Sequence, residues 1–197
     1  MRRSLRVVLF GSAAGIVAFA FWAVTWELTE WQGRDPAPIP AGERFLQEWG
    51  RRLDHSGLYR FPQPPGKRAR ALDREEKARR LQRFEQGPVV SLLVYHRDGF
   101  SPVDPAPYLR ALFLHLGAGC LLAWLLTFLE GSRSGFGTRW RFVAVMGAVV
   151  ALLGPGFSGN WWGFPAGYVL ARMGVTWLAW CAAGLILARV LPGSRAR

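Results

Sequence analysis

The sequence predicts an all-α membrane protein: four transmembrane helices with a mainly helical external insert, carrying a candidate two-stranded element, between spans one and two. Three observations predict it. Four stretches of about span length are almost free of charge. Basic residues gather at the flanks of those stretches on one side. Between residues 27 and 110 the composition changes abruptly, with charged residues and prolines returning. A hydrophobic fraction of 51% with a mean hydropathy of +0.12 fits such a mixture of apolar spans and one polar segment.

Residues 1–26 hold a short N-terminal tail and the first span. Val7–Trp26 is twenty residues without a charge between Arg6 and Glu27, and at 1.5 Å per residue it covers about 30 Å, the thickness of a hydrocarbon core. Arg2, Arg3 and Arg6 before an apolar run also suit a cleavable leader. The run continues through Phe21–Trp26 past the small-residue site Ala18-Phe19-Ala20, so it is read as a retained anchor. Residues 111–129 form the second span, interrupted only by His115, and residues 130–141 the loop after it. The third span, 142–157, is short and ends in Gly154-Pro155-Gly156. A charge-free loop, 158–163, leads to the fourth span, 164–188, which Arg189 closes ahead of a tail, 189–197.

Orientation follows from the flanks. Arg2, Arg3 and Arg6, then Arg133, Arg139 and Arg141, then Arg189, Arg195 and Arg197 all fall on one side, whereas 158–163 has no charge. Positive charge in short flanks stays cytoplasmic. The expectation is a bacterial inner-membrane protein with both termini in the cytoplasm and residues 27–110 outside.

Within that insert, Ala41–Leu53 has the periodicity of an amphipathic helix, with Phe45, Leu46, Trp49 and Leu53 on one side. Gly57–Phe61 reads as a short strand and Pro62–Gly66 as a loop. Lys67–Glu85 reads as a second helix, with Asp73/Lys77, Glu75/Arg79 and Glu76/Arg80 in acid-before-base i,i+4 order. Gly87-Pro88 stops it, and Val89–His96 reads as a strand. So few large apolar side chains make a poor independent core, which points to a cap or a docking surface.

Composition excludes some functions. The net charge of +12 is scattered and interleaved with acids, so no basic stripe suits a nucleic acid. Cys120 and Cys181 both lie inside apolar runs and read as small buried hydrophobes. No nucleophile–base pair, phosphate loop or metal-ligand spacing stands out, and no catalytic or metal residue is expected. The spans contain no acid; their polar inventory is Ser12, Thr25, His115, Thr127 and Thr176, with Arg172 at an edge.

The stretch Gly159-Asn160-Trp161-Trp162-Gly163-Phe164-Pro165 is read as a turn, a helix start and an interfacial anchor. Arg172 lies 17 residues before Arg189, about 25 Å along a helix axis, so its guanidinium can rise to the head groups. Trp161, Trp162 and Tyr168 share that level. The functional alternative is a site in which Arg172 holds an anionic lipid head group or a cofactor carboxylate while Trp161 and Trp162 wall it, with Tyr168 at the same level. His115, about a turn inside its span, is a candidate ligand for haem iron or chlorophyll magnesium. Its plainer reading is a histidine hydrogen-bonded to a neighbouring helix or snorkelling to water. Gly11/Gly15, Gly119/Ala123, Gly147/Ala151 and Ala179/Ala183 are small-xxx-small pairs that let helices approach closely, within the bundle or against another subunit.

Several short pieces together resemble a group of bacterial four-span membrane proteins to which no activity is assigned. They are Phe21–Trp26, Gly57-Leu58-Tyr59, Glu85-Gln86-Gly87-Pro88, Asn160–Pro165 and Ala183–Ala188. The resemblance implies the architecture and no chemistry. The expected function is therefore a non-enzymatic accessory or assembly subunit of a larger bacterial inner-membrane complex, a respiratory or photosynthetic one being a natural host. Its partners would be membrane lipids and other membrane protein subunits. The alternatives are a small transporter or lipid-handling protein using the Arg172 site, and a haem- or chlorophyll-binding subunit built on His115.

Overall fold

A computed structural model of the chain describes residues 3–29, 42–61, 74–99, 101, 104–129 and 135–190. The chain forms two compact units, residues 38–102 and the remainder.

The larger unit is built from four helical runs, each long and apolar enough to cross a membrane. These fit an integral membrane protein. The runs are α1 (Arg3–Glu27), α4 (Ala106–Leu126), the pair α5 (Phe136–Ala151) and α6 (Phe157–Trp162), and α7 (Ala166–Val190). α1 packs along both α4 and α7, and α7 packs along α5. The order of contact is thus α4, α1, α7, α5. Apolar composition alone cannot drive this association in lipid, so close backbone approach must.

The glycines show that approach. A Cβ at Gly15 would lie 2.5 Å from the His115 carbonyl oxygen, and one at Gly119 would lie 2.2 Å from the Gly11 carbonyl oxygen. No side chain fits in that seam. Between α5 and α7, Gly147 abuts the Trp180 Cβ, where an added methyl would stand at 2.6 Å. Two indoles tie the same pair: Trp177 Nε1 donates to the Ala144 oxygen and Trp140 Nε1 to the Cys181 oxygen, both at 3.1 Å. Ala14, Ala18, Leu122, Leu126, Val143 and Leu187 fill the shared core. At the far end of α1, the Tyr108 hydroxyl donates to Glu27 Oε1 and links α1 to α4.

The third run departs from expectation. The helix does not stop at Gly154-Pro155-Gly156. It passes through one π turn, Leu152–Gly156, and continues as α6 to Trp162, so residues 158–162, expected in a loop, are helical. Proline has no N–H for the regular ladder and crowds the preceding turn. Here the ladder lengthens instead: the Phe157 N–H reaches the Leu152 carbonyl, five residues back. The helix ends at Gly163, whose φ of 66° is left-handed and whose N–H returns to the Gly159 oxygen at 3.0 Å. Gly159 has a different task from the turn expected of it. It is buried against Val169, where a Cβ would stand 2.3 Å from Cγ2.

The smaller unit contains α2 (Gly42–Arg52), β1 (Gly57–Phe61), α3 (Arg74–Gln86) and β2 (Val90–Tyr95). The strands pair antiparallel, Leu58 opposite Val94 and Tyr59 opposite Leu93, with a register shift between Tyr59 and Phe61. The expected two-stranded sheet is present; residues 67–73 of the expected second helix, Asp73 included, lie outside the described residues, as does the Arg80 side chain. Glu75 and Arg79 do not close the expected ion pair; Glu48 and Arg52 on α2 do, at 2.9 Å. None of the described residues of this unit is fully buried, in keeping with its scarcity of apolar side chains.

Candidate functional site

The π turn and the start of α7 together shape a hollow of about 350 Å³. Gly154, Pro155 and Ser158 line one wall, and Phe164, Tyr168, Val169 and Arg172 the other. Each wall has a local cause. A π turn widens the helix and displaces its backbone, which is why such turns recur at functional sites. Gly163 reverses the chain, and Pro165 sits just ahead of Ala166, where a missing N–H costs nothing. The reversal lays Phe164 and Tyr168 edge to face, with ring centres 5.5 Å apart.

Arg172 is the charged member of this wall. Its guanidinium carbon lies 5.7 Å from the Trp26 ring centre and 5.8 Å from that of Tyr168. Rings on a guanidinium hold it in place by quadrupole attraction, an effect that grows as water is excluded. The first N–H groups of α7 have no intrahelical acceptor, and the helix dipole adds partial positive charge at that end. A cation, a hydroxyl at Ser158 and a positive helix end beside one cavity suit a phosphate or carboxylate.

Of the residues expected to form this site, the structure brings Arg172 and Tyr168 into one hollow. Trp161 is 63% exposed and lies against Phe157, with ring centres 5.9 Å apart. Trp162 is half-buried, and neither tryptophan lines the hollow. Sequence reasoning missed Trp26 and the π turn. The only signal for Trp26 was its position at the end of the first apolar run, and for the π turn a proline inside a third run too short to span comfortably.

His115 lies deeper than its place in the second run suggests. Its backbone packs on Gly15, eight residues from Val7 and eleven from Trp26, or about 12 Å and 16 Å along the α1 axis. Its ring stacks on Trp180 at 6.2 Å and meets Phe19 at 5.9 Å and Trp22 at 6.4 Å. Nδ1 lies 2.7 Å from the Ala111 oxygen. A carbonyl can only accept, so Nδ1 carries the hydrogen, and Nε2 is the nitrogen with which a haem or chlorophyll metal would have to bond. The plainer expectation of a bond to a neighbouring helix is replaced by this bond within α4. No group of three His, Cys, Asp or Glu side chains gathers among the described residues.

Ser12 Oγ meets Cys120 Sγ across α1 and α4 at 3.8 Å, whereas the threonines of the spans bond to their own helices. Thr25 donates to the Trp22 oxygen, Thr127 to that of Trp124 and Thr176 to that of Arg172, at 2.7–2.9 Å. The small-residue pairs are used within the bundle. Gly11, Gly15 and Gly119 meet across α1 and α4, Gly147 meets α7, and Ala123, Ala151, Ala179 and Ala183 are buried. Cys120 and Cys181 are free thiols. No protein-family model, curated protein or solved structure matches the chain.

Proposed function

We propose that this chain is a non-enzymatic lipid-handling membrane protein that holds the anionic head group of an amphiphile in the Arg172 hollow. The setting is the bacterial inner membrane, with both termini cytoplasmic on the distribution of short-flank arginines, so that the hollow opens at the outer leaflet. One observation carries the reading: a guanidinium supported on two aromatic rings lines a cavity whose facing wall is a proline-bearing π turn. In that orientation the hollow would fall at the level where a lipid phosphate or carboxylate resides.

Native mass spectrometry of the protein in mixed-lipid nanodiscs tests it, comparing retention of phosphatidylglycerol with phosphatidylcholine. A hydrogen bond to a charged group contributes about 1.5–3 kcal/mol, so Arg172→Gln should weaken phosphatidylglycerol binding by roughly tenfold to a hundredfold. Gly154→Leu should do the same by filling the cavity, since a Cβ there meets nothing within 4 Å. Unchanged preference for phosphatidylglycerol in both variants would remove the proposal.

A second reading, the accessory or assembly subunit, is favoured by one feature of the smaller unit. Leu58 and Val94 are directly paired across the strands yet 68% and 56% exposed. An exposed apolar pair on a unit with no fully buried residue among those described suits contact with another subunit. Copurification after mild extraction tests it; a chain that always runs alone, with Leu58→Ser unchanged in behaviour, would dismiss it.

A further inference from the structure

The smaller unit has a groove of its own. An open hollow of about 280 Å³ lies between α2 and the strand pair, with Trp49, Tyr59, Phe61 and Leu93 among its apolar walls and Arg52 and Arg60 beside them. Strict alternation along β1 would send Arg60 to the opposite face from Tyr59 and Phe61. The ladder is irregular opposite Arg60, where the pairs Tyr59–Leu93 and Phe61–Val90 leave one extra residue on β2, and Arg60 lines the groove with both neighbours. Arg60 is then anchored across the ladder, its Nε–H donating to the Ser91 oxygen at 2.9 Å. Glu48 meets Arg52 at 2.9 Å, but as a pair 63% and 76% exposed it neutralises little.

We propose that this groove binds a single-chain anionic amphiphile, its carboxylate or phosphate held by Arg52 and Arg60 and its hydrocarbon laid on Trp49, Tyr59 and Leu93. A carboxylate or phosphate in the groove would meet guanidinium groups from both walls, and charge-assisted bonds to guanidinium are the strong ones. The apolar walls supply the remaining affinity, as in ligand pockets generally, and the volume is at the small end of that class. It accommodates one acyl segment rather than a two-chain lipid. Charge complementarity and cavity size together select this ligand over a neutral lipid.

The test uses the full chain in phosphatidylcholine nanodiscs with a diazirine-bearing palmitate, followed by peptide mapping of the cross-links. Label is expected in residues 42–61 and 90–95, displaced by oleate or by lysophosphatidylglycerol, and weak with the matching fatty alcohol. Arg52→Gln with Arg60→Gln should cut that label tenfold or more while label in the spans persists. Arg52→Lys with Arg60→Lys, which keeps both charges, should retain most of it. Label confined to the spans, equal labelling by the alcohol, or full labelling of the glutamine variant would overturn the proposal. So would recovery of a polypeptide cross-linked in the groove in place of the probe.

Discussion

Replacing Gly119 with alanine tests the bundle at its tightest point. The added Cβ would lie 2.2 Å from the Gly11 oxygen and 2.8 Å from the Gly15 nitrogen. Carbon–oxygen contacts close at about 3.3 Å, so α1 and α4 must part by about 1 Å. Neither obstacle can rotate away, because both are main-chain atoms. A gap of ~0.5–1 Å forfeits a quarter to a half of each 0.1–0.2 kcal/mol contact. Over the several tens of atom pairs in such a seam the loss is roughly 2 kcal/mol, within the range of about 1–3 kcal/mol known for overpacked cores. Gly117→Ala, two residues away on the same helix, is the control. Its Cβ meets nothing within 4 Å, and alanine favours a helix over glycine by up to about 1 kcal/mol. The two single-methyl changes should therefore differ by about 3 kcal/mol, with opposite signs. Unfolding in mixed micelles with rising dodecyl sulfate, followed by far-UV circular dichroism, measures the difference. Equal stability of the two variants would refute the register of α1 on α4.

Gly159→Ala should destabilise by ~1–3 kcal/mol through the 2.3 Å approach to Val169 Cγ2. Adding Val169→Ala should recover much of that loss, a coupling that a double-mutant cycle in the same unfolding assay reads directly. Trp177→Phe removes the N–H bonded to the Ala144 oxygen at 3.1 Å and should cost about 1 kcal/mol; no change would argue against that bond. Pro155→Ala restores an N–H to the turn and should shift it toward regular α-helix, with phosphatidylglycerol retention falling in native mass spectrometry. Retention equal to wild type would show that the π turn does not shape the Arg172 site.

Much of this layout is local and was legible in the residues. A stretch such as Val7–Trp26 needs no partner to be apolar, and a helix satisfies its own backbone, so each span is specified by its own composition. The same holds for α2, whose apolar residues recur at helical spacing, and for the β1 and β2 runs, the first followed by Pro62–Gly66 and the second preceded by Gly87-Pro88. Gly11-Ser12-Ala13-Ala14-Gly15 likewise announced a close seam, though not which helix would enter it. Tertiary packing decided the rest. Pro155 is compatible with a helix end or with a helix that widens, and the choice depends on the neighbouring α7 surface that meets Gly159 and Gly156. Trp26 comes to Arg172, and Trp180 to His115, only because helices distant in sequence pack at one register. Composition is a property of each segment alone, whereas a cavity or a ring contact is a property of the alignment between segments. Hydropathy, which treats every apolar face alike, carries no information about that alignment.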